Sequence, residues 1–227
     1  MWGLSGKMVR MLKAALFDLD YTLLDRNRLL IGFLHAQHQR FEPLFQGVDV
    51  KAYSQRFLDL DAYGMVWKDK VYQAIISEFK IRDITWETLL EDYRRYGHRF
   101  AVLYDGVLPL LTSLKAAGIT LGLITNGCYD VQFSNIEAAG LTPFFSSILI
   151  SETEGLKKPD VRIFHRALFQ LGAEPRHAVM VGDHPISDIK GAKNAGIKTI
   201  WKRNTLWGPC NHADAEFEGF EALAALL

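Results

Sequence analysis

Asp18 and Asp20 lie two positions apart where the apolar run Ala14–Asp18 ends, within Leu16-Phe17-Asp18-Leu19-Asp20-Tyr21-Thr22-Leu23. Ligands of open α/β sheets bind beyond the carboxyl ends of the strands, so a strand ending here would deliver two carboxylates to one crevice. Aspartates that only cap or turn a loop would have the same spacing. A second apolar run ends in a hydroxyl, an amide and a glycine, Leu123-Ile124-Thr125-Asn126-Gly127, just before a helical pattern. Backbone N–H groups at such a point bind anions. A third segment, Gly155-Leu156-Lys157-Lys158-Pro159-Asp160, places a lysine before proline, where the backbone is held extended and the side chain can be aimed. A fourth, Met180-Val181-Gly182-Asp183-His184-Pro185-Ile186-Ser187-Asp188, has an aspartate at a strand end and another five residues later at a helix start. Hard oxygen ligands of this kind suit Mg²⁺, which takes one or two carboxylates with water and substrate phosphate.

Each segment alone has an ordinary structural explanation, such as a helix cap, a turn or a solvated lysine. Together they stand in order, each just past a strand end. They supply a nucleophile, an acid, an anion cradle, a cation and a metal site.

The elements needed to position them are legible as short apolar runs alternating with amphipathic segments, the pattern of an α/β protein with a parallel sheet. The expected strands are Ala14–Asp18, Ile119–Thr125, Ser147–Ile150, Ala178–Gly182 and Thr199–Trp201. The expected helices Leu108–Ala117, Val131–Ala139, Asp160–Leu171 and Ile186–Ala195 each stop at a glycine, a C-cap signal, and Gly219–Leu227 forms a last short helix. From about Arg26 to Phe100 the alternation stops. Helical periodicity in Leu29–Phe41, Val50–Tyr63, Val71–Phe79 and Trp86–Phe100 points to an all-helical insert standing over the sheet as a cap. The fold expected is a Rossmann-like three-layer core over 11–24 and 101–227, a helical cap over 25–100 and a leader over 1–10.

The chain has 227 residues, 49% hydrophobic and 23% charged, with 26 Lys+Arg against 26 Asp+Glu. That is ordinary for a soluble globular protein, and the even balance gives no sign of a nucleic-acid or membrane surface. No apolar run approaches the ~20 residues of a membrane helix. Cys128 and Cys210 are far apart and belong to no CxxC, which argues against zinc and disulfides and suits a cytoplasmic setting. Cys128 is read as a small buried residue. His184, although inside the fourth segment, is given no catalytic role on loop placement alone. The basic start lacks the apolar stretch of a secretory signal, and Met8 or Met11 could be the natural first residue.

The four segments read as DxDxT, a hydroxyl-ended second strand, K-P and GDxxxxD. In this form the chain resembles the haloacid dehalogenase-like superfamily from about Leu12 to the C-terminus. The helical insert resembles that family's alpha-helical cap, and ITNG followed by KPD…IF resembles its small-metabolite phosphatases. The resemblance implies a phosphomonoester hydrolase acting on a nucleotide, sugar phosphate or phosphoglycolate-like metabolite, as monomer or homodimer. It implies that Asp18 attacks phosphorus and that Asp20 protonates the leaving oxygen and later deprotonates water. Thr125, the Asn126 amide and Lys158 would hold the phosphoryl oxygens. Mg²⁺ would be bound by Asp18, the backbone carbonyl of Asp20 and Asp183, with Asp188 a ligand or its support. A 2-haloacid dehalogenase would lack an acid two residues after the nucleophile, so Asp20 favours phosphate; a non-catalytic binding protein is the other alternative. The segment Ala62–Lys70, with Trp67 beside Lys68, is the expected specificity element, pairing a flat aromatic with a cation.

Overall fold

The computed structural model describes residues 12–227. The leader expected over 1–10 and the alternative starts at Met8 and Met11 lie outside the described residues. The chain forms two compact units. One comprises the described chain up to Asp25 together with Leu103–Leu227, and the other is Arg26–Val102.

The first unit begins with β1 (Ala14–Phe17). Its four residues are all fully buried, as in a strand covered on both faces. The second unit follows as α1 (Arg26–Arg40), α2 (Val50–Asp61), α3 (Lys68–Phe79) and α4 (Trp86–Tyr96). The chain then returns to the first unit through α5 (Val107–Ala116), β2 (Thr120–Thr125), α6 (Tyr129–Ala138), β3 (Ser147–Ile150), α7 (Ser151–Glu154), α8 (Val161–Leu171) and β4 (Ala178–Gly182). It ends with α9 (Gly191–Asn194), β5 (Lys198–Lys202), β6 (Ala215–Phe217) and α10 (Phe220–Leu226).

The six strands form one parallel sheet in the order β3-β2-β1-β4-β5-β6. β1 pairs Ala14–Phe17 with Thr120–Leu123 on one side and with Ala178–Val181 on the other. The winding therefore reverses at β1, and the carboxyl ends of β1, β2 and β4 lie together where such sheets bind ligands. One face of the sheet packs Leu16, Ile124, Leu149 and Met180 against Ile163 and Phe164 of α8. Burying a side chain of this size contributes roughly 1.5–3 kcal/mol. Gly172 ends α8 with φ of 62°, which lets the Ala173 N–H return to the Leu168 carbonyl at 3.0 Å.

The five expected strands are present, and β6 is a sixth, with Phe217 its one fully buried side chain. The expected helix Ile186–Ala195 is instead a π-helical turn over Pro185–Lys190 followed by α9. The His184 carbonyl accepts from both Asp188 N (3.0 Å) and Ile189 N (3.3 Å), which widens the turn. Such π turns are frequent at functional sites.

The helical unit contains no strand among its described residues. Its core centres on Phe33, Phe57 and Tyr93, with Gln37 as a polar hub. Gln37 Nε2 donates to Leu89 O and to Asp92 Oδ2, both at 3.0 Å, and its Oε1 accepts from Tyr53 and Tyr72. A second buried centre joins Asp61 to Arg26 (2.6 Å) and to Lys68. Beyond Asp61 the backbone turns left-handed at Ala62, Tyr63 and Gly64. Gly64 is needed there, since a Cβ would stand 3.2 Å from the Arg26 guanidinium.

Candidate active site

The ends of β1 and β4 and the π turn bring Asp18, Asp183 and Asp188 together. All three are buried, and each offers a carboxylate oxygen within 4.8 Å of the others. Gly182 makes this possible, because any Cβ on it would come within 2.6 Å of Asp188 Cγ. Asp188 Oδ2 accepts from His184 N at 2.9 Å. Its Oδ1 lies 2.7 Å from Lys158 Nζ, an ion-pair contact.

Lys158 lies in the loop before α8 and is itself buried, with its Nζ 2.5 Å from Asp18 Oδ1. Asn126, just after β2, fixes that loop. Its Nδ2 donates to the Lys158 carbonyl at 3.0 Å, and its Oδ1 accepts from Lys158 N at 2.9 Å. The Asn126 carboxamide thus positions the lysine. Asp18 Oδ2 accepts from Thr22 Oγ1 at 3.0 Å, which gives the threonine of DxDxT its task. Asp20 and Thr125 meet at Gln132, whose Nε2 donates to Asp20 Oδ2 (3.0 Å) and to Thr125 Oγ1 (2.6 Å).

Three anions share one cation here, and the proton affinities follow. Burial raises Asp18 well above the usual carboxylate range; Lys158 opposes this, while Asp188 and Asp183 add to it. Burial, then Asp188, pushes Asp183 up to about 6. Burial would depress Lys158, but Asp18 and Asp188 outweigh it and hold the ammonium above its ordinary value. A buried set of hard oxygens carrying excess negative charge fits a divalent cation.

Several residues that hold this arrangement escaped the reading of the sequence. Asp183 Oδ2 accepts from Asn204 Nδ2 and Trp207 Nε1, both at 2.9 Å, and its carbonyl accepts from Trp201 Nε1 at 2.6 Å. Lys202, at the end of β5, is buried over the Tyr104 ring (3.4 Å) and donates to the Tyr21 carbonyl at 2.7 Å. Burial pushes it down to about 8. A lysine closing an apolar strand was a visible signal for Lys202; Gln132, Asn204 and Trp207 had none. His184 Nδ1 accepts from Ile186 N and Ser187 N, both at 3.1 Å, so its ring caps the π turn. Cys128 is half-buried at the start of α6, not buried as expected, because it is the N-cap residue of an exposed helix end.

In the helical unit Trp67 is 69% exposed. Lys68 is held against Asp61, and its ammonium lies 5.8 Å and 5.7 Å from the centres of the Phe57 and Tyr93 rings.

Residues 15–202 match the family model described as haloacid dehalogenase-like hydrolase. A glyceraldehyde 3-phosphate phosphatase of Pyrococcus furiosus is 30% identical over 219 residues, 93% of this chain and 88% of that protein. A phosphoserine phosphatase of Thermus thermophilus is 34% identical over 142 residues, 63% of this chain but 57% of that protein. Among solved structures, the HAD-hydrolase YfnB from Bacillus subtilis, bound to magnesium, superposes with a TM-score of 0.77 at 26% identity, over 95% of this chain and 98% of that one. The chain belongs to the haloacid dehalogenase-like hydrolases, as one of their phosphatase-type enzymes.

Proposed function

We propose that the protein is a Mg²⁺-dependent phosphomonoester hydrolase acting on a small phosphorylated metabolite, such as a nucleotide, a sugar phosphate or a phosphoglycolate-like ester. The observation that carries this reading is the buried cluster of Asp18, Asp183 and Asp188, with the ammonium of Lys158 against Asp18 and Asp188. Asp18 attacks phosphorus while the bond to the leaving oxygen breaks and Asp20 gives that oxygen a proton. Asp20 then takes a proton from water, which attacks phosphorus and frees phosphate from Asp18. Burial disfavours Asp18 as an anion, so its attack depends on neighbouring positive charge, part of which Lys158 supplies. Mg²⁺, held by Asp18, the Asp20 carbonyl and Asp183 with Asp188 beside them, would supply the rest and offset charge on the phosphoryl group. A magnesium-bound neighbour of similar fold supports that choice of ion.

Thr125, the Asn126 backbone amide and Lys158 bind the phosphoryl oxygens, and the Asn126 side chain locks the Lys158 backbone. In the helical unit we assign leaving-group recognition to Trp67, presented on the left-handed turn after α2, with Lys68 anchoring the segment to Asp61.

The test is phosphate release from p-nitrophenyl phosphate and a panel of metabolite phosphates, with Mg²⁺ and with excess EDTA. Activity is expected only with Mg²⁺. Asp18→Asn, nearly isosteric, should lower kcat by roughly 10³-fold or more. Full activity in EDTA, or a tenth of wild-type turnover in Asp18→Asn, would refute the mechanism.

A further inference from the structure

We propose that Gln132 is a positioning residue that sets the hydrogen-bond polarity of the site. It fixes which oxygen of Asp20 delivers the proton and turns the Thr125 hydroxyl toward the phosphoryl group. The inference rests on the phosphatase reading above and assigns Gln132 a task within it.

Gln132 lies on the first turn of α6 with 4% exposure, and its side chain runs back beneath Gly127. A Cβ on Gly127 would stand 2.9 Å from Gln132 Cγ, so the loop after β2 needs a glycine there to leave the side chain room. The carboxamide nitrogen has two hydrogens, and both are used, one on Asp20 Oδ2 and one on Thr125 Oγ1. Reversing the amide would set its oxygen against Asp20 Oδ2, so nitrogen must face that side.

Two consequences follow from counting donors and acceptors. A carboxylic acid has one hydrogen. Oδ2 of Asp20 accepts from Gln132, and a carbonyl oxygen is a better acceptor than an acid hydroxyl, so this bond favours Oδ1 as the oxygen that carries the proton to the leaving group. A hydroxyl has one hydrogen and two lone pairs. Thr125 Oγ1 already accepts from Gln132, and no acceptor is recorded for its own hydrogen among the described residues. Thr125 is therefore set up as a donor, the role a phosphoryl oxygen requires, in a site where a fixed dipole is worth more than in water. One buried amide thus couples the grip on phosphate to the proton donor.

The experiment compares wild type, Gln132→Met and Gln132→Glu. Methionine keeps the volume and loses both donated bonds. Glutamate keeps the shape but can only accept, so it would draw the Thr125 proton inward. Two readouts are taken: competitive inhibition by inorganic phosphate, and the ratio of kcat on the best alkyl phosphate of the panel to kcat on p-nitrophenyl phosphate. The aryl leaving group departs without a proton, whereas the alkyl oxygen needs one. Gln132→Met should weaken phosphate inhibition about tenfold and lower the alkyl-to-aryl ratio by on the order of 10-fold, part of the range general-acid catalysis spans. Gln132→Glu should be worse on both, by on the order of 100-fold in the ratio. A merely structural role would lower the melting temperature and reduce both substrates equally. An unchanged ratio and unchanged phosphate inhibition in Gln132→Met would overturn the proposal. Asp20→Asn is the control: should it leave the ratio unchanged, the acid role of Asp20 fails, and with it the mechanism on which the proposal stands.

Discussion

Each unit buries a cluster of ionised groups, and the two clusters are balanced in opposite directions. In the helical unit one carboxylate, Asp61, is met by two cations, Arg26 and Lys68. Burial would raise Asp61, but the two cations outweigh it and hold the carboxyl below its usual range. In the sheet unit three carboxylates have one ammonium in direct contact among the described residues, Lys158, with Lys202 also within electrostatic reach of Asp183 and Asp18, and both Asp18 and Asp183 are raised. The first cluster satisfies its anion with its own side chains and ties α1 to α2 and α3. The second holds anions that its own side chains do not neutralise. Such an excess can be relieved by protonation or by a bound cation, so the difference accords with a structural ion pair in the helical unit and with the catalytic cluster proposed for the sheet unit.

The sharpest way to break the comparison is to remove one carboxylate from each cluster in metal-free protein and measure unfolding by urea. Asp61→Asn strands one buried and one partly buried cation, Arg26 and Lys68, and should cost about 3–5 kcal/mol. Asp183→Asn should stabilise the metal-free protein by roughly 1–3 kcal/mol, since a carboxyl held near pH 6 opposes folding when ionised at pH 7. The new amide oxygen can still accept from Asn204 and Trp207. In Mg²⁺ the sign should reverse, with wild type the more stable, because the cation binds only the intact native cluster. Loss of stability in Asp183→Asn without metal, comparable to that in Asp61→Asn, would erase the distinction.

A smaller effect appears in pH. The folded pKa of Asp183, about 6, lies above its unfolded value. Its contribution is therefore fully present below about pH 4 and is lost as pH rises through about 6. Asp61, lowered in the folded state, contributes in the opposite sense: its stabilisation is present above about pH 4 and is lost as pH falls through the depressed value. The stability difference between wild type and Asp183→Asn, measured in EDTA from pH 4 to 7.5, should grow more unfavourable to wild type between about pH 4 and 6 and level off above that. Metal binding should weaken below about pH 6, where protons compete for the same oxygens. A flat difference curve would mean that Asp183 is not held in an anionic excess.

The sheet cluster was legible because Asp18 and Asp183 stand at the ends of apolar runs, where a strand end fixes the side chain, and Asp188 follows at a helix start five residues on. The helical cluster was not. Arg26 and Asp61 read as ordinary helix charges and Lys68 as a cation for the substrate, and only the packing of α1 and α3 against α2 shows that they are joined. The same limit hid β6, three residues with only one fully buried side chain, and the loop that returns Asn204 and Trp207 to Asp183. Their contacts span 21 and 24 residues through a segment with no period to read. The π turn escaped for a local reason: Pro185 and Gly191 fit an α-helix as well as a wide turn, and the carbonyl shared at His184 decides between them.

The smallest expected effect concerns what the balanced cluster carries. The left-handed turn at Ala62 and Tyr63 is costly for residues with a Cβ, on the order of 1–2 kcal/mol each. The ion pairs of Asp61 hold the chain on either side of it. What this turn presents is apolar and solvent-facing, Tyr63 at 43%, Met65 at 67% and Trp67 at 69% exposed. An indole so exposed contributes little to folding, so Trp67→Ala should leave the melting temperature nearly unchanged, within roughly 0.5 kcal/mol. Under the specificity role proposed for it, the same change should raise KM for the best metabolite substrate about five- to tenfold, while p-nitrophenyl phosphate, which brings no natural leaving group, changes less than twofold. A contact made equally in ground and transition states raises KM and spares kcat, so kcat should hold on both substrates. Lys68→Met tests the anchor separately. It removes one partner of Asp61, should lower stability, and should disturb KM only through the turn, so that its effect disappears in a Trp67→Ala background. Equal KM changes on both substrates in Trp67→Ala would take leaving-group recognition away from this turn.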